Sequence, residues 1–549
     1  MRFGRWDIPL FLAGIFLPVP VLSMVYDVGD DQSYEQIGEV PWESLVAGDT
    51  VNIHYRLEDY HEKWVICRVG TSDEPIVVRG IPSPGGDLPV INGIGATTRA
   101  ELNFWNEERG VIKIGGANSP ADTMPAHIII ESLDIRSGRP PYTFTGRHGL
   151  TSYVDNCAAI YIEKGEHILI RGCILRDCGN GLFCGHQTTD LVVEANAIRE
   201  NGIEGEIYEH NNYTEAFGIL FQYNQFGPLR QGCGGNNLKD RSAGTIIRYN
   251  WIESGNRQLD LVDSDYASLF ADSLYRRTFV YGNILVEPDG AGNSQILHYG
   301  GDSGHTERYR KGTLYLHHNT IISTRDGNTT LARLSTNEEV CDARNNIIYT
   351  TAPGNRLAML AESGGELHLR GNWLKSGWVT SHGSTPGWVI DHGNLEGEDP
   401  GLRDLGAQDF ELAPGSICID TGVDLDEAIV AEHTPVMEYV RHAMARERPA
   451  DGMIDVGAYE YAGEEAAPTP ASLRENGVLA FPNPFQGRVS LRAPEDARVL
   501  ITDVHGRIVF EGSGSAWEPD SRVPAGVFFV HPMPRGDHPA ARIIYLRSR

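Results

Sequence analysis

One short pattern recurs along the middle of the chain: an apolar residue, any residue, an apolar residue, two residues, an asparagine, any residue, an apolar residue. It reads clearly in Leu191-Val192-Val193-Glu194-Ala195-Asn196-Ala197-Ile198 and in Ile219-Leu220-Phe221-Gln222-Tyr223-Asn224-Gln225-Phe226. It returns around Asn250, Asn283, Asn319, Asn346 and Asn372, each with an apolar residue three positions earlier. Successive asparagines lie 28, 26, 33, 36, 27 and 26 residues apart, and periods of this size mean stacked supersecondary units. The apolar runs are short, rich in Ile, Val, Phe and Tyr, and without helical periodicity, so each repeat is read as one coil of a parallel β-solenoid. The asparagine, placed at the bend, is expected to take left-handed backbone angles and to bond its counterpart in the next coil, building an amide ladder. Leu133 and Cys173 hold that place in two earlier, looser coils.

On either side the pattern changes. Residues 41–53 read as a short amphipathic piece, a turn and a strand, suited to cap an exposed sheet end. The solenoid is expected to close at Ile454-Asp455-Val456-Gly457-Ala458-Tyr459-Glu460-Tyr461, with a segment of helical character at 424–448 capping or flanking it. Residues 462–472, rich in Ala, Glu and Pro, form a linker. Beyond it, 473–549 contains short β-rich runs with a turn at Gly506 and reads as a small β-sandwich. The resulting division is a signal peptide at 1–24, a β-helix domain at 25–461, the linker, and the C-terminal β domain.

Composition narrows the function. The net charge of −28 argues against nucleic-acid binding, which needs a basic face. Met1-Arg2-Phe3-Gly4-Arg5 precedes an apolar run from Ile8 to Leu22 that includes no more than a short hydrophobic core. That order is that of a secretory signal and is too short for a stable membrane span, although Asp7 leaves an uncleaved anchor as the alternative. Eight cysteines in 549 residues do not make a disulfide scaffold and lack paired zinc spacing. They read as small buried hydrophobes, with one bridge such as Cys178 to Cys184 conceivable.

Residues 204–266 pack acids, amides, bases and a histidine between the apolar runs. From 226 to 257 five basic residues (Arg230, Lys239, Arg241, Arg248, Arg257) face two acids, a locally positive stretch in a strongly negative chain, as capture of an anionic polymer requires. Lys239-Asp240-Arg241 reads equally as a solvated turn, and His210 as a surface-turn histidine. Asp260 alternates with Leu259 and Leu261 and so points outward from its strand.

The coil sequence over roughly 40–461 resembles the right-handed parallel β-helix proteins that include polysaccharide lyases. Pro482-Asn483-Pro484-Phe485, Asp503-Val504-His505-Gly506-Arg507 and Pro524-Ala525-Gly526-Val527 resemble the C-terminal sorting domain of type IX secretion substrates. The second resemblance implies the type IX secretion machinery as partner, export through the periplasm of a Gram-negative bacterium, and release or attachment at the outer surface. The first implies a lyase acting on an acidic, uronate-containing polysaccharide. In alginate-lyase-like relatives an acidic metal ligand precedes a catalytic Lys and an Arg-His pair follows on the next coil. Those positions fall here near Asn236, Arg241, Val262 and Asp263, so Lys239 would serve from a shifted position.

β-Elimination needs a neutralised uronate carboxylate and a base. Lys239 is the expected base, Arg241 the neutralising cation, and His210 or Tyr213 the proton donor, with Arg230, Arg257 and Tyr266 binding substrate. Asn236, Asp260, Asp263 and Glu215 are oxygen ligands of the kind Ca²⁺ takes. Two alternatives stay open. One is glycoside hydrolysis by a carboxylate pair among Asp260, Asp263 and Asp265, whose strand spacing would suit it. The other is a non-catalytic glycan-binding surface using Tyr208, Tyr213, Tyr249, Trp251 and Tyr266.

Overall fold

The computed structural model describes residues 23–449 and 452–463 continuously, and beyond them the strands within 479–545. The chain separates into two compact units, 1–462 and 463–549. In the first unit nearly every strand pairs in parallel with the equivalent strand one coil away, which gives three columns of stacked strands. Each coil contributes in turn to a first, a second and a third sheet, as Leu238–Asp240, Ala243–Arg248 and Trp251–Glu253 do. The third sheet stacks eleven strands, from Val90–Asn92 to Leu395–Gly397. Between sheets one and two the strands Ala158–Arg171, Asn180–Glu194 and Asn212–Gln222 run through without a break. The solenoid expected from the repeat is therefore present, and its coil strands end at Gly397.

A single apolar column fills the interior. Ile128, Ile168, Leu191, Ile219 and Thr245 occupy successive rungs of the second sheet, and all but the threonine belong to one continuous buried cluster running from Tyr26 to Leu374. At the N-terminal end Val40, Trp42 and Leu45 are fully buried, and Trp42 stacks on Trp64 at 5.3 Å. The expected cap is thus a plug of large apolar side chains over the first coil.

The amide ladder runs where the repeat puts it. Asn196, Asn224, Asn250, Asn283, Asn319, Asn346 and Asn372 each donate Nδ2 to the next asparagine's Oδ1 at 2.8–3.0 Å, and Asn394 ends the series. Cys173 N–H donates to Asn196 Oδ1 at the head of the ladder. One detail differs from expectation. The left-handed residue is the one before each asparagine: Ala195, Tyr223, Tyr249, Gly282, His318, Asn345 and Gly371 have φ between 51° and 65°. The asparagine's own N–H must point along the stack to bond the next Oδ1, as Asn250 N does to Asn283 Oδ1 at 2.9 Å, so the reversal is made one residue earlier. A second, shorter ladder, not anticipated, links Asn201, Asn211 and Asn237 at 3.0 and 2.9 Å at the turn from sheet three to sheet one.

Residues 399–461 fold back along the outside of the third sheet. Phe410, Tyr439 and Tyr459 bury Trp251, Ile284 and Ile322, so Trp251 is a packing residue. Where helical character was expected there is one helical turn, Glu427–Val430, and an antiparallel hairpin, Met437–Val440 with Met444–Glu447; tertiary packing of Tyr439 against the wall overrides the local pattern. All eight cysteines are free and seven are buried, so Cys178 and Cys184 are not bridged. Cys178 instead takes a hydrogen bond from Gly138 N–H, at 3.2 Å, on a different coil edge. No helix among the described residues is long and apolar enough to cross a membrane; residues 1–22, with the expected signal, lie outside them.

In the second unit the described strands form two antiparallel sheets, of three and four strands. Their face-to-face packing as a sandwich stays an expectation, and the turns at 482–485 and 504–507 lie outside the described residues.

The ladder yields a direct prediction. Replacing Asn283 by Ala strands the buried Asn250 backbone N–H, which bonds Asn283 Oδ1, at a cost of about 1–3 kcal/mol, and leaves Asn319 Oδ1 with the residue-283 N–H as its one donor from that coil. Thermal unfolding of Asn283→Ala is expected to show a clearly lowered midpoint, and an unchanged midpoint would mean the ladder does not hold the coils.

Candidate functional site

The outer face of the first sheet is organised by register. Lys113, Tyr161, Phe183, Tyr213, Lys239, Asp260, His298 and Arg333 are successive partners in one column across eight coils. Side chains alternate along a strand. In Leu238-Lys239-Asp240-Arg241, Leu238 and Asp240 therefore enter the solenoid while Lys239 and Arg241 face out. The segment is a strand and its flank rather than a solvated turn.

The inward Asp240 is fully buried and accepts the hydroxyls of Thr214, Ser242 and Thr245 at 2.8, 2.7 and 2.6 Å. Arg310, also fully buried, approaches it at 3.4 Å and donates to the carbonyls of Ser242 and Val262. This polar node closes over the core and fixes the far end of an inserted strap, residues 300–310. The near end is held by Ser335 Oγ, which accepts Gly301 N–H at 2.9 Å, and the middle by Asp263, whose Oδ1 accepts the N–H groups of Asp302 and Ser303 at 2.8 and 3.3 Å. Ser303 Oγ donates to Asp263 Oδ2.

The strap delivers Asp302 to the two outward cations. Its Oδ2 lies 2.6 Å from Lys239 Nζ and its Oδ1 3.2 Å from Arg241 Nη2. Lys239 also binds Asp260 Oδ2 at 2.7 Å. Asp260 is almost fully buried and receives further bonds from Asn236 Nδ2 at 2.8 Å and His298 Nδ1 at 3.0 Å, with Arg257 3.8 Å away. Since a carboxylate cannot donate, His298 carries its proton on Nδ1, and its Nε2 faces Ser335 Oγ at 2.9 Å. Asp260 does point outward from its strand, as expected, and is buried by the strap and its neighbours.

These contacts set the charge states. Burial presses Lys239 toward neutrality, but Asp260 and Asp302 outweigh it and raise its pKa above the ordinary lysine value. Burial raises Asp302, yet Lys239 and Arg241 bring it below the usual carboxylate range. Glu215 goes the other way: burial lifts it to about 6, against the opposing pulls of the Ser264 hydroxyl and Arg241. His210, 3% exposed, is pushed down to about 3 by burial and by Lys239. Its Nδ1 accepts Asn236 N–H at 2.9 Å, so the neutral ring presents Nε2–H. Tyr213 is raised by burial and held back by Arg241 and Lys239; the Arg241 guanidinium lies 5.6 Å from its ring.

The structure thus gathers Lys239, Arg241, His210, Tyr213, Asn236, Arg257 and Asp260 in one place, with Glu215 beside Arg241. Four expectations change. Lys239, expected as the base, lies between two carboxylates that favour its protonated form, in which it has no lone pair to offer. His210 is buried, since the Asn211 and Asn237 amides draw its turn into the stack. Arg230 sits on another wall, beside Arg199 and Arg176. Asp263 and Asp265 follow the strand Leu259–Leu261 in a loop, so strand spacing does not relate them. Tyr266 is exposed and stacks on His186 at 3.4 Å, an aromatic platform near Glu215, whose partner Ser264 is two residues from Tyr266. Tyr208 is exposed, whereas Tyr249 and Trp251 are buried in the packing of other walls.

Calcium does not fit this donor set. Both Asp260 oxygens and both Asp263 oxygens already accept N–H or O–H groups, and an ion near Asp260 would meet Lys239 and Arg257 at close range. Among the described residues no three His, Cys, Asp or Glu side chains converge. Asp302, His298 and Ser335 were not anticipated. One signal was available: the intervals of 33 and 36 residues around Asn283 exceed the 26–28 of regular coils and mark the inserted segments.

No family model matches the chain, and no curated protein sequence does. Among solved structures, an alginate lyase from Paenibacillus sp. str. FPU-7 aligns with 10% identity over 68% of this chain and 99% of its own, at a TM-score of 0.40. A GH136 lacto-N-biosidase from Eubacterium ramulus aligns with 10% identity over 68% of this chain and 67% of its own, also at 0.40. The surface protein and adhesin PfbA of Streptococcus pneumoniae aligns with 9% identity over 63% and 89%, at 0.37.

Lys239→Ala would leave Asp260 buried without its main counter-charge, at a cost of about 3–5 kcal/mol. Lys239→Arg, which keeps the charge, is expected to fold with a smaller loss. Equal unfolding midpoints for wild type and Lys239→Ala would show that the ion pair does not support the site.

Proposed function

We propose that the chain is a secreted glycan-cleaving enzyme and that Glu215 and Asp302, on either side of Arg241, act as general acid and general base or nucleophile in glycoside hydrolysis. The observation that carries this reading is the opposite displacement of the two carboxyls. Glu215 is lifted to about 6 and Asp302 lowered, both within the field of Arg241. Two carboxyls whose environments drive them apart in this way suit the paired roles that hydrolysis needs. Lys239 keeps Asp302 ionised, the neutral His210 offers an N–H, and the Tyr266–His186 stack offers a flat apolar face to a sugar ring. Substrate is a neutral segment of polysaccharide, because Asp302 already fills the position between Lys239 and Arg241 that a uronate carboxylate would take.

β-Elimination on an acidic polysaccharide is the second reading, favoured by one observation: Lys239 and Arg241 grip a carboxylate from two sides. It requires the strap to withdraw Asp302 so that a uronate carboxylate replaces it, and a base other than Lys239, for which Tyr213 over Arg241 is the candidate. Export through the periplasm by a type IX route, with release or surface attachment, belongs to the same proposal and rests on the motifs at 482–485, 503–507 and 524–527.

The two readings separate by product. Incubation with neutral and uronate-containing glycans is expected to release reducing ends without ultraviolet absorbance. New absorbance from unsaturated sugar would replace hydrolysis by elimination. Glu215→Gln and Asp302→Asn are each expected to lower turnover by about 10²–10⁴-fold. Glu215 must hold its proton, so activity falls as pH rises through about 6, and it falls again at low pH as Asp302 protonates. Survival of the high-pH limb in Glu215→Gln would remove Glu215 from the acid role. Full activity is expected in a chelator; loss restored by added Ca²⁺ would overturn the metal-free assignment.

A further inference from the structure

We propose that the outer face of the third sheet carries a second, non-catalytic site, centred on Arg199 and Arg230, that binds an acidic glycan chain. None of its residues belongs to the Glu215–Asp302 site. Asn92, Arg136, Arg176 and Arg199 are successive rungs of one outward column, so three arginines rise from neighbouring strands about 4.7–4.9 Å apart along the solenoid axis. Like charges directly opposite destabilise a sheet unless they are compensated. The lower rungs are compensated within the protein: Arg136 Nη2 lies 2.6 Å from Asp59, and Arg176 holds Asp134 through two bonds of 3.1 and 2.7 Å.

The upper end is different. Among the described residues Arg199 pairs only with the exposed Glu200, at 2.7 Å, a surface contact of little energetic weight. Asp177, the other acid lining this depression, is engaged by Arg139 at 2.6 Å and by the Ser137 hydroxyl at 2.8 Å. Arg230 reaches in from the adjoining loop, where its Nη2 bonds the Gly202 carbonyl at 2.5 Å, while its Nε is buried with no partner among the described residues. The pair opens on a cavity of about 640 Å³. A second, of about 410 Å³, adjoins Arg136 and Arg176.

Planar guanidinium forks suit planar or tetrahedral oxyanions, which they bind through paired N–H groups. A lone ion would need one seat. Here the arginine rungs and the cavities continue along the coil axis, which matches a linear chain bearing an anionic group at intervals. In a protein of net charge −28, a nucleic acid with its dense phosphates is disfavoured as that chain. Such a site would keep the enzyme on a mixed or acidic polymer while the first sheet cleaves its neutral stretches.

Calorimetric titration of the full chain tests this, using oligogalacturonate, a heparin-derived oligosaccharide, inorganic sulfate and single-stranded DNA as probes. At least one acidic oligosaccharide is expected to bind saturably, more weakly as salt rises, and at least tenfold more weakly to Arg199→Ala/Arg230→Ala. Asp302→Asn, altered only at the first-sheet site, is expected to bind it like wild type. If circular dichroism shows the double variant misfolded, Arg199→Gln alone is expected to weaken binding at least threefold. The proposal is overturned if neither oligosaccharide binds, if the arginine variants bind unchanged, if Asp302→Asn removes the binding, if sulfate alone binds as tightly, or if DNA binds more tightly than either.

Discussion

A buried primary amide must find acceptors for two N–H bonds and donors for its carbonyl, and in this protein that requirement fixes the register of the coils. Each ladder asparagine bonds the next side chain, takes that neighbour's preceding contacts in turn, and returns one N–H to a backbone carbonyl of the coil below, as Asn224 Nδ2 does to Val193 O at 2.8 Å. A coil displaced by one residue would leave several such groups unpaired in the interior, each at a cost of about 1–3 kcal/mol. Residues at equivalent places in successive coils are thereby forced into columns. The outward column that carries Lys239 and Asp260, which support the candidate site, is one such column, and the arginine rungs on the third sheet are another.

Within the first sheet the same constraint sorts charge. Alternation sends Asp240 inward and Lys239 outward, and each then needs a partner because an isolated buried charge is far too costly. Asp240 is satisfied by three hydroxyls and Arg310, which anchors the strap. Lys239 is satisfied by Asp260 on the next coil and by Asp302 on the strap. The two ends of one inserted segment therefore serve opposite faces of a single strand. That link couples the stability of the coil to the placement of the candidate base.

It also changes the chemistry expected of the site. A lysine beside other cations would have been depressed and basic; this one faces two carboxylates and stays charged. Proton transfer passes to groups whose surroundings move them toward the working range, of which Glu215 is one. The lysine becomes an electrostatic support for Asp302, and within the positive stretch seen in the sequence Lys239, Arg241 and Arg257 are met by Asp260 and Asp302, whereas Arg248 bonds Gln222 and Arg230 the Gly202 carbonyl.

The sequence alone determined the solenoid, its coil length and its ladder, because these repeat: an apolar column and a stacked amide recur at each coil and leave the same mark each time. It also marked the neighbourhood of the site, since Lys239, Arg241, His210 and Glu215 stand close together in it. The overlong intervals flanking Asn283 gave the position of the strap's insertion, though not its contacts. Tertiary structure decided the rest. Asp302 lies 63 residues from Lys239 and Ser335 37 from His298, so no local spacing relates them. The fold also reversed local readings: the 424–448 segment became a hairpin against the third sheet, and Arg230 turned to a different wall. The protonation of Lys239 follows from partners brought in by other coils, and charge state depends on what surrounds a group in space.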